Sequence, residues 1–143
     1  MREQHGPAWT PTEDPELIKA TGKALEPHGG KAFMAPEAGF EPLDYRVAHE
    51  GQLWSKRVVK HPQCAQGECH NVTRATVQSD PERYQHGYGY ALSHGGFEMW
   101  RPHSWIHDRR EDRIIEPTPL KRAKYFGIGL SDHETQHLHE TME

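Results

Sequence analysis

The sequence predicts a single α+β domain in which one helix precedes a run of antiparallel strands joined by short turns. Three observations predict it. "YQHGYGYAL", "FEMW", "RPHSWI" with "RIIE", and "KYFGIGL" follow the strand pattern, with glycines and charged turn residues between them. "CHNVTRATVQ", just ahead of them, carries Val72, Thr73 and Thr76 on one helical face. The third is size, since 143 residues can bury one modest core and fall short of two. That order of elements packs the helix onto one face of the sheet.

Taken in order, residues 1–45 hold Pro7, Pro11, Pro15, Pro27, Pro36 and Pro42 among many glycines. Such a density interrupts helices and predicts an extended, surface-hugging arm. One short helix is expected within it, over "TEDPELIKATGKAL". Thr12 or Asp14 would be its N-cap, Pro15 its first residue, and Leu17, Ile18 and Leu25 its apolar stripe. A core unit is expected over 46–130. It opens on the β-prone "LWSKRVVKH" at 53–61, and Pro62 with "QCAQGEC" forms a loop that delivers Cys69 to the first turn of a helix ending at Ser79-Asp80-Pro81. Strand "YQHGYGYAL", turn "HGG", strand "FEMW", a hairpin over 101–119 and strand "KYFGIGL" follow. Residues 131–143 are left as a short C-terminal helix or tail.

Composition narrows the function classes. Seventeen basic and twenty-one acidic residues give a net charge of -4 without a block of like charge. Neither a nucleic acid nor an anionic membrane is therefore expected as partner. No apolar stretch approaches membrane-spanning length, and "MREQHGPAWTPTEDPE" lacks the hydrophobic run of a secretory signal, so the cytoplasm is the expected compartment. A hydrophobic fraction of 34% and a mean hydropathy of -0.96 imply polar arms or loops around the core. Two cysteines, Cys64 and Cys69, are too few for a disulfide framework.

The hairpin poses the chemical question. Residues opposite one another in a hairpin share a face, so an even-numbered loop centred on Arg109 to Asp112 places His103 and Glu116 on the same side. A loop of two residues would make them direct partners, and one of four, diagonal neighbours. Cys69, at a helix N-terminus, would feel the positive end of the helix dipole, and a neighbouring imidazolium would lower its pKa further. His103 could then act as its base, with Glu116 fixing the tautomer of the imidazole and stabilising its charged form. The oxyanion donors would come from the backbone N–H of Cys69 or its neighbour, with Gln63, Gln66 and Asn71 as positioning candidates.

The segments "GECHNVTRA", "YQHGYGYAL", "PHSWI", "RIIEPT" and "KYFGIGL" together resemble a group of small uncharacterised bacterial and phage proteins. Their pattern is a Cys followed by Asn-Ala, then Tyr-x-x-Gly-Tyr-Ala, His-Ala-Trp, Val-x-Asp-Pro-Thr and Tyr-Phe-Gly. The last three pieces are also similar to the transglutaminase-like branch of the papain-type cysteine hydrolases. The resemblance spans about residues 64 to 130. It implies a transglutaminase-like or papain-like core, Cys69 as nucleophile, His103 as base and Glu116 as the acidic member, where the pattern has Asp. The implied activity is a thiol-dependent amide hydrolase or acyltransferase, whether peptidase, deamidase or transglutaminase-like. It would act on a peptide or protein amide without a cofactor.

Each residue also has a plainer role. Cys69 could be a small buried hydrophobe. His103 could be a strand histidine satisfied by a carbonyl, and Glu116 could pair with Arg101 or Arg113 at the surface. Trp105, Tyr125 and Phe126 read as core. A noncatalytic binding module on the same fold is the corresponding alternative function. Metal is the rival chemistry. "HETQH" places His133 and His137 one helical turn apart with Glu134 between them, the spacing of a zinc-dependent hydrolase, although in a chain with 12 histidines a solvated C-terminal helix is the plainer reading. His61, Cys64, Cys69 and His70 could close a structural zinc site, without the regular C-x2-C knuckle. No metal is assigned to either.

Overall fold

The computed structural model describes residues 10–61, 69–93, 97–119 and 121–142, with Cys69, His70 and 139–142 described in backbone only. The expected turn at 94–96 and the loop at 62–68 lie outside the described residues.

Helix α1 (Pro15–Leu25) forms where the sequence placed it. Asp14 is its N-cap, accepting from the backbone N–H groups of Glu16 and Leu17 at 3.1 and 3.2 Å. Leu17, Thr21 and Leu25 are buried. A 3-10 turn over Glu26–His28 leads to a two-residue strand, β1 (Ala32–Phe33). A second helix, α2 (Glu41–Glu50), crosses the expected boundary at residue 45. The proline-based reading of an extended arm missed it because Pro42 sits in its first turn, where no intrahelical N–H is required. Val47 of α2 is buried with Leu25 in the main core, so this segment helps to build the fold.

The remaining elements are β2 (Gln52–Leu53), β3 (Arg57–Lys60), α3 (Cys69–Ser79), β4 (Tyr84–Ser93), β5 (Met99–Asp108), β6 (Arg113–Glu116), β7 (Arg122–Leu130) and α4 (Asp132–Met142). The strands form one seven-stranded sheet in the order β2-β7-β4-β5-β6-β3, with β1 also beside β5. Pairing is antiparallel except for β1 with β5 and β3 with β6. The fold is thus a mixed α+β architecture on a mostly antiparallel open sheet.

"FEMW" and "RPHSWI" do not form two strands. Met99 to Asp108 run as one, paired with β4 from Trp100 to Asp108. Pro102 sits inside it, opposite Tyr90. A proline nitrogen is tolerated where it faces away from a partner strand. Such an edge exists here. On the side away from β4, β6 pairs with residues 106–108 and β1 with 99–100, so among the described strands none pairs with β5 between them.

Register divides the sheet into two faces. Tyr88, Tyr90, Leu92, Trp100, Phe126, Ile128 and Leu130 share one face and form the main core with Leu25 of α1, Val47 of α2 and Leu138 of α4. Helix α3 packs against β4 and β5 on this same side, next to Ile115 and Tyr84. The opposite face carries Ala91, Trp105, Ile114 and Tyr125, covered in part by Trp54. Trp54 meets Trp105 edge-on at 5.4 Å between ring centroids.

Candidate functional site: a buried histidine and glutamate

The hairpin joining β5 to β6 is set by a buried carboxylate. Asp108 is fully buried and accepts hydrogen bonds from Arg83 Nε and Nη2 and from Arg113 Nε at 2.9–3.0 Å. It also accepts from the backbone N–H groups of Arg110 and Glu111 in the turn. The bonds from Arg83 foremost hold its carboxyl well below the usual range. Asp108 pairs with Arg113, so the loop is the four residues Arg109 to Asp112, with Asp112 in the left-handed region at φ 51°. Continued along the strands, this register makes His103 and Glu116 diagonal neighbours on one face.

The two side chains meet. His103 Nε2 lies 2.9 and 3.1 Å from the two oxygens of Glu116, and both residues are buried, at 3% and 1% exposure. Glu116 accepts three further hydrogen bonds. The Tyr125 hydroxyl donates to Oε1 at 2.6 Å, and the Thr118 hydroxyl and backbone N–H donate to Oε2 at 2.6 and 3.0 Å. Burial pushes the Glu116 carboxyl upward, but His103, Thr118 and Tyr125 outweigh it and bring it down to about 2. Glu116 is therefore ionised at neutral pH and can only accept. Facing an ionised carboxylate, His103 Nε2 is the donor in this contact.

Aromatic rings hold the imidazole in place. Trp105 and Tyr125 lie 6.4 and 6.3 Å from its centroid, and 5.2 Å from each other. Gly87 of β4 makes room for the indole, since a Cβ there would overlap Trp105 Nε1.

Cys69 is the first residue of α3, as the sequence predicts, in backbone position to receive the helix's N-terminal field. Its side chain, and Gln63 and Gln66, lie outside the described residues. Asn71 is on the exposed side of the first turn of α3. There it lines a groove of about 770 Å³ between α3 and the β3–β6 edge, with Val59, Ile115, Val72 and Tyr84 among its walls. That groove is on the sheet face opposite His103. Among the described strands, the stretch of β5 without a partner on its β6 side includes His103.

The metal alternatives stand as follows. Glu134 is engaged in the start of α4, where Ser131 N–H donates to its carboxylate at 2.8 Å and Glu134 N–H donates to the Ser131 hydroxyl at 3.1 Å, a capping box. It also pairs with Arg46. His133 and His137 are exposed. Cys64 lies outside the described residues, and among the described residues no three His, Cys, Asp or Glu side chains are grouped as a metal site would need. No helix among them is long and apolar enough to cross a membrane.

The fold and site define a small α+β protein with a buried, oriented histidine–glutamate pair and a cysteine at the start of the helix that packs on the same sheet. Set against known proteins, the chain matches no family model, no curated protein and no solved structure.

Reading the sequence missed Thr118 and the hydrogen-bonding role of Tyr125. Thr118 left a signal: "EPT" puts a hydroxyl and an N–H two residues beyond the carboxylate, within reach of a local side-chain to backbone bond. Tyr125 left none, because its partner is reached across the sheet. The buried pair of His86 Nε2 and Ser104 Oγ, 2.8 Å apart, was likewise invisible.

Proposed function

We propose that this protein is a thiol-dependent amide hydrolase or acyltransferase with Cys69 as nucleophile, His103 as base and Glu116 as the residue that orients and charges the base. The observation that carries the reading is the buried His103–Glu116 pair. An ionised carboxylate on Nε2 fixes one tautomer, so that Nδ1 can take the thiol proton and the resulting imidazolium is stabilised in place. The thiolate would attack an amide carbonyl to form a thioester, releasing an amine that takes its proton from His103. Water then completes hydrolysis, or a second amine completes transfer. The position of Cys69 at the head of α3, where the dipole favours the thiolate, supports its part. The resemblance to transglutaminase-like and papain-type enzymes agrees in the order Cys, His, acid.

A second reading is favoured by one observation. Helix α3 packs on the sheet face opposite the one that carries His103. If thiol and imidazole do not meet, the pair is a polar element of the second core, and the protein is a noncatalytic binding module on this fold. Iodoacetamide labelling decides between them. In the catalytic reading Cys69 is alkylated selectively at pH 6 to 7, Cys69→Ser abolishes the label, and His103→Ala slows it by about tenfold or more as the thiol returns toward its ordinary pKa. Labelling that is unchanged by His103→Ala leaves the binding-module reading.

A further inference from the structure

We infer that Tyr125 and Thr118 are positioning residues for the proposed site. Their hydroxyls clamp one Glu116 oxygen each, so that the carboxylate stays charged and in one orientation whether or not His103 carries a second proton. The inference rests on the catalytic reading for its consequence, though the clamp itself can be measured without Cys69.

The geometry leads there in three steps. First, a buried carboxylate facing a neutral imidazole would be drawn to the protonated form, and a protonated Glu116 could not stabilise an imidazolium. During the proposed reaction His103 is neutral in the resting base and charged after taking the thiol proton, so the carboxylate needs partners that do not change with that cycle. The hydroxyls of Tyr125 and Thr118, both 2.6 Å away and both buried, are such partners. Second, both oxygens are held. Oε1 receives Tyr125 and Oε2 receives Thr118, while His103 Nε2 faces both oxygens, so the carboxylate plane is fixed by donors at both ends. This matters for a glutamate, whose added χ angle gives it more freedom than an aspartate would have. Third, the reach of Tyr125 is built into the sheet. Tyr125 is on β7 and Glu116 on β6, with β4 and β5 between them. Tyr125 shares a buried cluster with Ala91, its direct partner on β4.

The test is an NMR titration of the Glu116 side-chain carboxyl, combined with the ring nitrogen shifts of His103. Tyr125→Phe and Thr118→Val keep the packing volume and remove one donor each. Each is expected to raise the Glu116 midpoint by about one pH unit, and the double variant by more, with loss of the single Nε2–H tautomer. A residue that merely fills space would leave the titration where it is. Midpoints unchanged in both single variants overturn the inference, whatever Cys69 does. Raised midpoints together with Cys69 labelling that is insensitive to His103→Ala establish the clamp and dismiss the catalytic reading, so the two failures are distinguishable. If both hold, the acid limb of the Cys69 alkylation profile should move upward with the Glu116 midpoint in each variant.

Discussion

Glu116 is a charge placed where charge is costly, and its neighbours decide whether it stabilises the fold. Its carboxyl lies near 2 in the folded chain against an ordinary 4.5, despite burial that pushes the other way. A depressed acid adds stability above its unfolded pKa and loses it as pH falls through the folded value. Glu116→Gln should therefore cost about 2–4 kcal/mol at pH 7, because an amide nitrogen would face the donors of His103, Thr118 or Tyr125. The difference from the parent should shrink as urea unfolding is repeated from pH 5 down to pH 2. Asp44 behaves in the opposite sense. It is buried, Tyr88 donates to its Oδ1 at 2.9 Å, and its Oδ2 has no hydrogen-bond partner among the described residues. Burial foremost raises its carboxyl from 3.8 to about 7. Its folded form holds the proton more tightly than the unfolded form, so stability is greatest below 3.8 and declines as pH rises through 7. Asp44→Asn should remove that decline, gaining up to roughly 4 kcal/mol relative to the parent by pH 8. Denaturation curves at pH 5 and pH 8 check it, and equal gains at both would show that Asp44 does not titrate in this range.

At the scale of elements, the β5–β6 hairpin is the unit on which the site depends. Its four-residue loop makes His103 and Glu116 diagonal neighbours, and Asp108 holds that loop by bonding Arg113, Arg83 and two turn N–H groups at once. A shift of one residue would turn Glu116 to the other face. Asp108→Ala should destabilise the chain by about 2–4 kcal/mol through its stranded donors. It should also speed hydrogen exchange at 106–108 and 113–115 more than elsewhere in the sheet. Uniform acceleration across the sheet would mean that Asp108 stabilises the whole fold without governing the hairpin. The gap along β5 belongs to the same scale. It is the edge on which Pro102 is tolerated inside the strand.

For the whole molecule, the question is what holds the sheet's helical face. Leu25, from the segment expected to lie as an arm on the surface, and Val47, just beyond it in α2, are part of the main core with Tyr88, Tyr90 and Trp100. Leu17 is also completely buried. Burial of a leucine or valine is worth about 1.5–3 kcal/mol each, against a total stability of about 5–15 kcal/mol for a domain of this kind. Removing residues 1–50 should therefore leave a chain without cooperative unfolding, measured by circular dichroism on heating. A cooperative transition in the shortened chain would show that 51–143 folds without α1 and α2.

Local information settled much of this architecture. Asp14, Pro15 and the spacing of Leu17 and Leu25 specify α1. The run from Cys69 to Ser79 specifies α3, and the strand-forming segments and the even hairpin loop place His103 and Glu116 on one face, because caps, periodicity and pairing register act over a few residues. Local signals misled at α2 and at the join of "FEMW" to "RPHSWI". There, Pro42 reads as a break although a helix start needs no N–H donor at that position, and the one continuous strand carries Pro102 at an open edge where none is needed either. The tertiary structure alone decided that Tyr125 reaches Glu116 across two strands, that Asp108 joins two arginines, and that α3 lies on the face away from His103. Those are contacts between residues distant in sequence, and they depend on how the strands are ordered and which way each face turns, which no stretch of chain encodes by itself.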